Sequence, residues 1–229
     1  MGRARRGLPD DPLRRSDQRR PARCDSSREC QRVQRRCDRR HARRRGDPDP
    51  LSNLRVSGGE ARGRRLKAPK NIRPTQGMVK QAIFNMVGPR IEGAMVVDLF
   101  AGSGALGIEA LSRGAARVTF VDQQPRGLAI LRQNLDALGF RERSDVIRGD
   151  VVRWLETGPS ALSAADFVFL DPPYDDAVLN RALEVLDRTA ATSSVFVEHS
   201  KRQQLPGLSR LRIDRERRYG DTVVTVLTA

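Results

Sequence analysis

The sequence predicts an α/β fold with a mostly parallel sheet and helices on both faces. Four short apolar segments are each followed by an aspartate, and these are Asp98, Asp122, Asp150 and Asp171, at intervals of 24, 28 and 21 residues. Each interval has room for one strand and one helix, which is the repeat of a doubly wound parallel sheet. The carboxyl ends of parallel strands meet at one edge of the sheet, so we expect the four carboxylates to gather there.

Residues 1–50 precede that repeat and are rich in arginine, aspartate and proline. They show almost no apolar periodicity and cannot bury enough apolar surface to offset the loss of chain entropy, which predicts a disordered extension. Two interpretations stay open: a basic arm that contacts RNA, or an artefact of the assigned start site, with translation beginning near residues 51–55. The second interpretation is preferred.

The same segment holds all three cysteines of the chain. Cys24, Cys30, Cys37 and His41 lack the close cysteine pair of a zinc site, so no metal is predicted. No apolar run approaches the roughly 18 residues that span a bilayer, and the amino terminus has no apolar stretch typical of a secretory signal. We therefore expect a cytoplasmic protein, and its formal net charge of +15 favours a polyanionic partner.

A small β-hairpin is predicted over residues 51–70, ahead of a single domain over residues 71–229. Its two short extended segments flank a stretch that is rich in glycine, which is typical of a hairpin turn. The side chains of Arg55, Arg62, Arg64 and Arg65 can contact phosphates.

A glycine turn joins an apolar strand, which Asp98 closes, to a helical pattern over residues 105–112. The turn consists of Phe100, Ala101, Gly102, Ser103 and Gly104. Backbone N–H groups at the start of the helix would face a ligand, although glycines alone match a dinucleotide site only weakly. Asp98 ahead of the turn would repel a pyrophosphate and attract a cation. S-adenosylmethionine, with its sulfonium and ammonium groups, therefore fits this turn better than NAD does.

The remaining acids complete the predicted cofactor site. Asp122 is placed to accept hydrogen bonds from both ribose hydroxyls, and Asp150 is placed to reach the adenine amino group. Their neighbours Gln123 and Val151 are included in the predicted site. An isolated aspartate after a strand is usually a turn residue or a helix cap, but four aspartates in register favour a binding site.

A corner of four residues, Asp171, Pro172, Pro173 and Tyr174, follows the apolar strand at residues 167–170. Neither proline can donate to a sheet, so the strand ends there. The Asp171 carboxylate and the Pro172 carbonyl can accept hydrogen bonds from an exocyclic NH2 group, and the ring of Tyr174 can stack on its base. The corner is thus the candidate catalytic site.

The carboxyl-terminal part predicts a helix over residues 177–186 and a strand over residues 195–197. Residues 208–213 and 222–227 are predicted to pair as antiparallel strands. His199 follows the buried strand next to Glu198, and nothing else that could act with it lies near in sequence, so its role is interpreted as structural rather than as that of a general base.

Taken together, these residues resemble a known family. The string over residues 96–107, followed by Asp122, Asp150 and the corner, resembles class I S-adenosylmethionine-dependent methyltransferases that act on an exocyclic base nitrogen. A second series narrows the resemblance to one family, because it resembles the amino-terminal signature of the RsmD family of 16S rRNA guanine-N2 methyltransferases. The resemblance covers about residues 54–228. The residues of that series are Arg55, Val56, Gly58, Gly59, Arg62, Gly63, Arg64, Arg65, Leu66, Arg73, Pro74, Thr75, Phe84 and Asn85.

The resemblance implies a Rossmann-like class I methyltransferase with a seven-stranded sheet, a hairpin that contacts RNA, and S-adenosylmethionine as cofactor. It implies methylation of the N2 amine of guanine 966 in 16S rRNA by a monomeric enzyme that acts on free rRNA or on the small ribosomal subunit. Two alternatives stay open. One is an adenine-N6 DNA methyltransferase, which shares the corner, and the other is a non-catalytic rRNA-binding assembly factor.

Overall fold

The computed structural model describes residues 54–68, 76–173, 176–189 and 193–229, all of them within the compact unit formed by residues 46–229. The predicted extension over residues 1–50 and Tyr174 lie outside the described residues. In the parts of the chain that are described, no helix is long and apolar enough to cross a membrane.

Seven strands of the described chain form one sheet in the order β3-β2-β1-β4-β5-β7-β6. They are β1 (Met95–Leu99), β2 (Arg117–Asp122), β3 (Ser144–Arg148), β4 (Phe167–Leu170), β5 (Ser194–Ser200), β6 (Arg212–Tyr219) and β7 (Thr222–Thr228). The first five strands are parallel, β7 runs antiparallel to β5, and β6 runs antiparallel to β7. The predicted α/β fold with a mostly parallel sheet is therefore confirmed, and β6 points in the same direction as the five parallel strands.

Helices cover both faces of this sheet. They are α1 (Gln76–Val87), α2 (Ala105–Ser112), α3 (Pro125–Leu138), α4 (Val151–Glu156), α5 (Ser160–Ser163) and α6 (Asp176–Thr189), with 3-10 turns at Gly88–Ile91 and Arg141–Arg143. Successive strand residues point to opposite faces. One face therefore packs Phe120, Phe169 and Phe196 with residues of α1, α2 and α3, while the other packs the alternate residues with α4 and α6.

Residues 54–68 form an antiparallel ribbon that packs on the domain. Its backbone ladder includes Val56 N to Arg64 O at 3.0 Å and Leu66 N to Leu54 O at 2.9 Å. The apolar side chains of the ribbon belong to the same buried cluster as α1, α2 and α3. At the tip, Gly59 has φ +76°, and a Cβ there would lie 1.7 Å from the carbonyl oxygen of Ser112. Only glycine allows the ribbon to approach the end of α2 this closely.

A buried ion cluster joins the ribbon to two helices. Glu109 is fully buried, and its carboxylate contacts Lys80 Nζ at 2.7 Å and Arg113 Nε at 2.8 Å. Ser57 N of the ribbon donates to the same carboxylate at 2.8 Å, and Lys80 Nζ also donates to Arg55 O at 2.6 Å. Burial alone would raise the pKa of Glu109, but the charge and hydrogen bond of Lys80, with the bonds from Ser57 and Arg113, hold that pKa below its usual range.

The prediction for the sixth strand was wrong in position. The expected strand over residues 208–213 is replaced by β6, which begins at Arg212, while β7 occupies the range predicted for it. The reason lies in α6, where Asp187 accepts the backbone N–H groups of Ser209, Arg210 and Leu211 at 2.7 to 2.8 Å. These bonds hold residues 209–211 in an irregular loop. The real strand lies at the sheet edge and carries mostly charged side chains, so no apolar alternation marks it.

Candidate active site

The glycine turn connects β1 to α2 in a conformation that few residues adopt. Gly104 precedes α2 with φ +84°, and a Cβ at this position would lie 2.3 Å from Leu131 Cδ1 of α3. Phe100 has φ +59°, which is unusual for a residue other than glycine. The hydrogen bonds from Gly104 N to Ala101 O at 2.7 Å and from Ala101 N to Val121 O at 3.2 Å close the turn against β2. Such locally strained backbone is typical of ligand sites.

One side of this turn is closely packed and the other is open. Gly127, in the first turn of α3, approaches so closely that a Cβ there would lie 3.1 Å from Gly102 O. A Cβ on Gly102 itself would meet only Phe100 O, at 4.0 Å. Gly102 and Ser103 are partly exposed, whereas Ala101 and Gly104 are buried. The open side of the turn therefore fits a ligand that lies across the backbone of Gly102.

Asp98 lies beneath the turn rather than on its surface. Its side chain is 2% exposed, and Asp98 Oδ2 accepts a hydrogen bond from Gly107 N at 2.8 Å. Burial, opposed by the Gly107 bond and reinforced by the nearby charges of Asp171 and Asp122, raises the pKa of Asp98 to about 7. Three of the four predicted carboxylates therefore lie close enough to interact. A cation bound among them would favour the ionised form of Asp98.

Asp122, at the end of β2, stabilises the glycine turn through a hydrogen bond to its backbone. Its Oδ2 accepts from Gly102 N at 2.8 Å, its Oδ1 accepts from Gln124 N at 2.6 Å, and the residue is 7% exposed. Each carboxylate oxygen has a second lone pair, so the side chain can still accept hydrogen bonds from two hydroxyls. The neighbouring Gln123 is exposed. Contact of Asp122 and Gln123 with a ribose stays a prediction.

Asp150 is the N-cap of α4. Its Oδ1 accepts from Arg153 N at 2.9 Å, and the residue is exposed, while Val151 is buried in the core. The backbone bond from Gly149 N to Asp122 O at 3.0 Å holds Asp150 next to Asp122. Asp150 thus has the structural role that is usual for an aspartate at this position. Its predicted contact with adenine stays a prediction.

The corner follows β4 at the same edge of the sheet. Leu170 is in register with Leu99 of β1 and Val197 of β5, which places Asp171 beside the glycine turn. Asp171 is partly exposed, Pro172 is buried and Pro173 is exposed. The catalytic roles of these residues, and of Tyr174, stay predictions.

The four arginines predicted to bind RNA are all exposed, and two of them, Arg62 and Arg64, lie at the tip of the ribbon, away from the corner. Arg64 Nη2 donates to Ala137 O at 2.8 Å, and the tip residue Glu60 N donates to Ser112 O at 2.8 Å. Ala137 and Ser112 lie at the carboxyl ends of α3 and α2, which run back towards the amino-terminal edge of the parallel strands. Arg62 and Arg64 therefore lie at the edge opposite to the glycine turn.

Arg55 and Arg65 pair with each other further along the ribbon. Arg55 Nη1 donates to Gly63 O at 3.0 Å within the ribbon itself. Binding of phosphates by the four arginines stays a prediction.

His199 has the structural surroundings expected of it. It is 8% exposed, with Nε2 at 2.9 Å from Thr225 Oγ1 and Nδ1 at 3.0 Å from Ser200 O. Both ring nitrogens thus have partners within the protein. In the described ranges, no group of three or more histidine, cysteine, aspartate or glutamate residues could hold a metal ion.

Sequence reasoning missed two features near this edge. The first is Gly127, which allows α3 to pack closely against the glycine turn. The sequence signal that could have revealed it was a glycine within a helical pattern. The arginine-rich strand β6 was missed because its pattern is charged rather than apolar. The alternating arginines of residues 212–218 were the available signal.

Comparison with known proteins identifies a family model and several relatives that this chain resembles. Residues 54–228 match the family model described as "Conserved hypothetical protein 95". The Bacillus subtilis (strain 168) protein YlbH is 37% identical over 179 residues, covering 76% of this chain and 97% of that protein. Ribosomal RNA small subunit methyltransferase D of Escherichia coli (strain K12) is 33% identical over 158 residues, covering 67% of this chain and 78% of that protein.

A solved structure supports the same assignment. The Escherichia coli protein yhhF superimposes with a TM-score of 0.67 at 31% sequence identity, covering 76% of this chain and 97% of that one. The residues that match the family model extend from the ribbon to the last strand. The chain therefore belongs to the RsmD family of methyltransferases, with S-adenosylmethionine as its cofactor.

Proposed function

We propose that this protein transfers a methyl group from S-adenosylmethionine to the N2 amine of a guanine in 16S rRNA, guanine 966 by family resemblance. The observation that carries the proposal is the corner of Asp171 and Pro172 beside the glycine turn, with the carboxylates of Asp98 and Asp122 close by. A relative is named ribosomal RNA small subunit methyltransferase D, which supports rRNA as the substrate class.

The cofactor site fits the chemistry of the proposed donor. The open side of Gly102 leaves room along the backbone, Asp122 offers acceptors for two hydroxyls, and Asp98 supplies negative charge beneath the turn. When bound, S-adenosylmethionine supplies a methyl group already activated by a sulfonium. The protein then has to position the nucleophile and stabilise its charge.

The corner is proposed to position that nucleophile. The lone pair of an exocyclic amine is delocalised into the base, so the amine attacks well only when held in line with the methyl group. The carboxylate of Asp171 and the carbonyl of Pro172 can accept the two amine hydrogens and fix that direction. Reaching the corner at the end of β4 requires the guanine to leave its stack, as in other enzymes that modify bases. The proton leaves after transfer, to Asp171 or to water.

The proposed partner is free 16S rRNA or the small ribosomal subunit, and the proposed enzyme is a monomer in the cytoplasm. The strongly basic chain supports a polyanionic substrate.

The test is transfer of a tritiated methyl group from S-adenosylmethionine to 30S subunits, free 16S rRNA and duplex DNA in parallel, with mapping of the labelled nucleotide. We expect label on one guanine, at N2, in one or both of the rRNA substrates. Asp171→Ala serves as the negative control and should retain cofactor binding. Label on adenine in DNA would support the alternative methyltransferase, and no label on any substrate with intact cofactor binding would support a non-catalytic assembly factor.

A further inference from the structure

A groove of about 360 Å³ lies between α1 and β6. Its lining includes Met78 and Met86 from the helix and Arg217 and Tyr219 from the strand. Met78 is 59% exposed and is one of two large apolar side chains with this degree of exposure among the described residues. The groove therefore combines the two methionines, called the apolar floor below, with an aromatic ring, a cation and the amide side chains of Gln81 and Asn85.

The strand that forms one wall of this groove is strongly basic. Residues 212–218 of β6 are all exposed and include four arginines, Arg212, Arg215, Arg217 and Arg218, against the two acids Asp214 and Glu216. β6 is the last strand of the sheet, so no described strand covers its outer edge. This edge is thus open to an anionic partner.

One end of the groove, at Tyr219, lies at the same edge of the sheet as the corner. Tyr219 is in register with Thr222 of β7, which is in register with Ser200 at the carboxyl end of β5. Two strands, β5 and β7, separate β4 from β6. Three spacings of about 4.8 Å place Tyr219 roughly 14 Å across the sheet edge from the corner. That distance is within reach of nucleotides flanking a base in the corner.

Protection of the sheet edge explains why the edge strand β6 carries so many charged side chains. Charged side chains on an edge strand prevent pairing with strands of other molecules. That role does not require an exposed methionine or a partly buried tyrosine beside the arginines. An apolar floor next to a cation is instead the combination that holds a base and its phosphate.

We propose that the groove between α1 and β6 binds a nucleotide that flanks the target guanine in the rRNA. Its base packs on Met78, Met86 and the ring of Tyr219, and its phosphate contacts Arg217. The proposal rests on the proposed function, because the corner supplies the position of the target base. It also assigns RNA contact near the site to β6, whereas the ribbon tip with Arg62 and Arg64 lies at the opposite edge.

The test measures binding of a 16S rRNA fragment to the full chain at several salt concentrations. Arg217→Gln should weaken binding and make the slope of log affinity against log salt shallower by about 0.7, the value for one phosphate contact on a single strand. Arg212→Gln is the matched control, since it removes the same charge from the same strand about 17 Å away at 3.3 Å per residue. Its slope should equal that of the wild type.

Two substitutions test the apolar floor. Tyr219→Ala should weaken binding about 5- to 150-fold through loss of a base stack, whereas Tyr219→Phe should retain wild-type affinity. Met78→Glu changes an exposed side chain without disturbing the core, and should weaken binding because it replaces an apolar contact of the base with a negative charge on the same groove. Binding of S-adenosylhomocysteine, measured by calorimetry, should be unchanged in every variant and confirms that each one is folded.

These experiments distinguish an error in the groove assignment from an error in the proposed function. If Arg217→Gln and Met78→Glu bind the fragment like the wild type while the wild type methylates 16S rRNA, the groove assignment is wrong and the proposed function stands. If the wild type transfers no label to rRNA but these variants still lose affinity, the groove is an RNA site and the proposed reaction is wrong.

Discussion

Asp98 and Asp187 are two buried aspartates with opposite electrostatics. Asp98, beneath the glycine turn, is 2% exposed and accepts a backbone hydrogen bond from Gly107, with two other carboxylates nearby. Asp187, on α6, is 6% exposed and accepts four hydrogen bonds from Ser209, Arg210 and Leu211. Burial alone would raise both pKa values. For Asp98, burial and the two neighbouring carboxylates together raise the pKa to about 7, whereas the bonds to Asp187 overcome burial and hold its pKa below the usual range.

The difference separates a functional acid from a structural one. An acid whose partners are all supplied by the protein stabilises the fold, and Asp187 orders the loop before β6. An acid buried with few donors and with like charges around it costs stability, and such costs are typical of binding sites. Asp98 therefore marks the edge at which a cation from outside the protein would complete the charge balance.

The largest expected effect concerns the corner. Asp171→Ala should lower turnover by about 10²- to 10³-fold, because it removes a charged acceptor that orients the amine. Binding of S-adenosylhomocysteine should change little, since the glycine turn stays intact. Single-turnover methyl transfer and calorimetry measure the two effects. Wild-type turnover in this variant would assign the corner a purely structural role.

The second-largest expected effect is on stability and concerns Asp187. Asp187→Ala should lower the free energy of unfolding by on the order of 3 kcal/mol, because four donors near residues 209–211 lose their acceptor. Urea unfolding followed by circular dichroism measures this change. Asp187→Asn is the control, since it keeps one acceptor oxygen and should lose less. Equal stability of wild type and Asp187→Ala would remove the contrast between the two aspartates.

The pH dependence of stability should differ between the two acids. The folded protein holds the Asp98 proton more tightly than the unfolded chain does, so Asp98 makes stability fall as pH rises from about 4 to about 7. The slope is at most about 1.4 kcal/mol per pH unit for one proton. Asp187 acts in the opposite direction, because its contribution is lost as pH falls below its ordinary pKa. Asp98→Asn should remove the slope between pH 5 and 7, and an unchanged slope would show that another group causes it.

The smallest expected effect concerns the ribbon. Replacing Arg62, Arg64 and Arg65 together by glutamine should change the unfolding free energy by less than about 1 kcal/mol, since exposed side chains contribute little. If these arginines bind phosphates, the salt slope of rRNA binding should become shallower by about 0.7 to 0.9 for each phosphate that the variant no longer binds. An unchanged slope would leave RNA binding to other surfaces, including β6.

Much of the fold was predictable because its signals are local. The strand before the glycine turn and the apolar strand at Phe167–Leu170 each stand out from their neighbours, and the aspartates at their carboxyl ends mark the strand-helix repeat. The edge strand β6 was misplaced because it is held by pairing with β7 and carries no apolar face of its own. Its position depends on Asp187, which lies more than 20 residues earlier in sequence.

The sequence predicted which residues lie at the candidate site better than it predicted the hydrogen bonds that they make. The acids were located by their position after strands, but sequence could not show that Asp122 braces Gly102 or that Asp150 caps α4. The ribbon was recognisable from its glycines. The direction of its tip, away from the corner, follows from packing against Ser112 and could not be read from the sequence.

The most direct test of the account is the proton exchange that accompanies cofactor binding. Calorimetric titration of S-adenosylmethionine near pH 7, in buffers of different ionisation enthalpy, measures the protons released. We predict that a positive ligand lowers the pKa of Asp98, so binding releases a fraction of a proton and affinity rises between pH 6 and 8. Asp98→Asn should bind with no such release. Binding without proton release in the wild type, or the same release in Asp98→Asn, would contradict the role of this edge as a cation site.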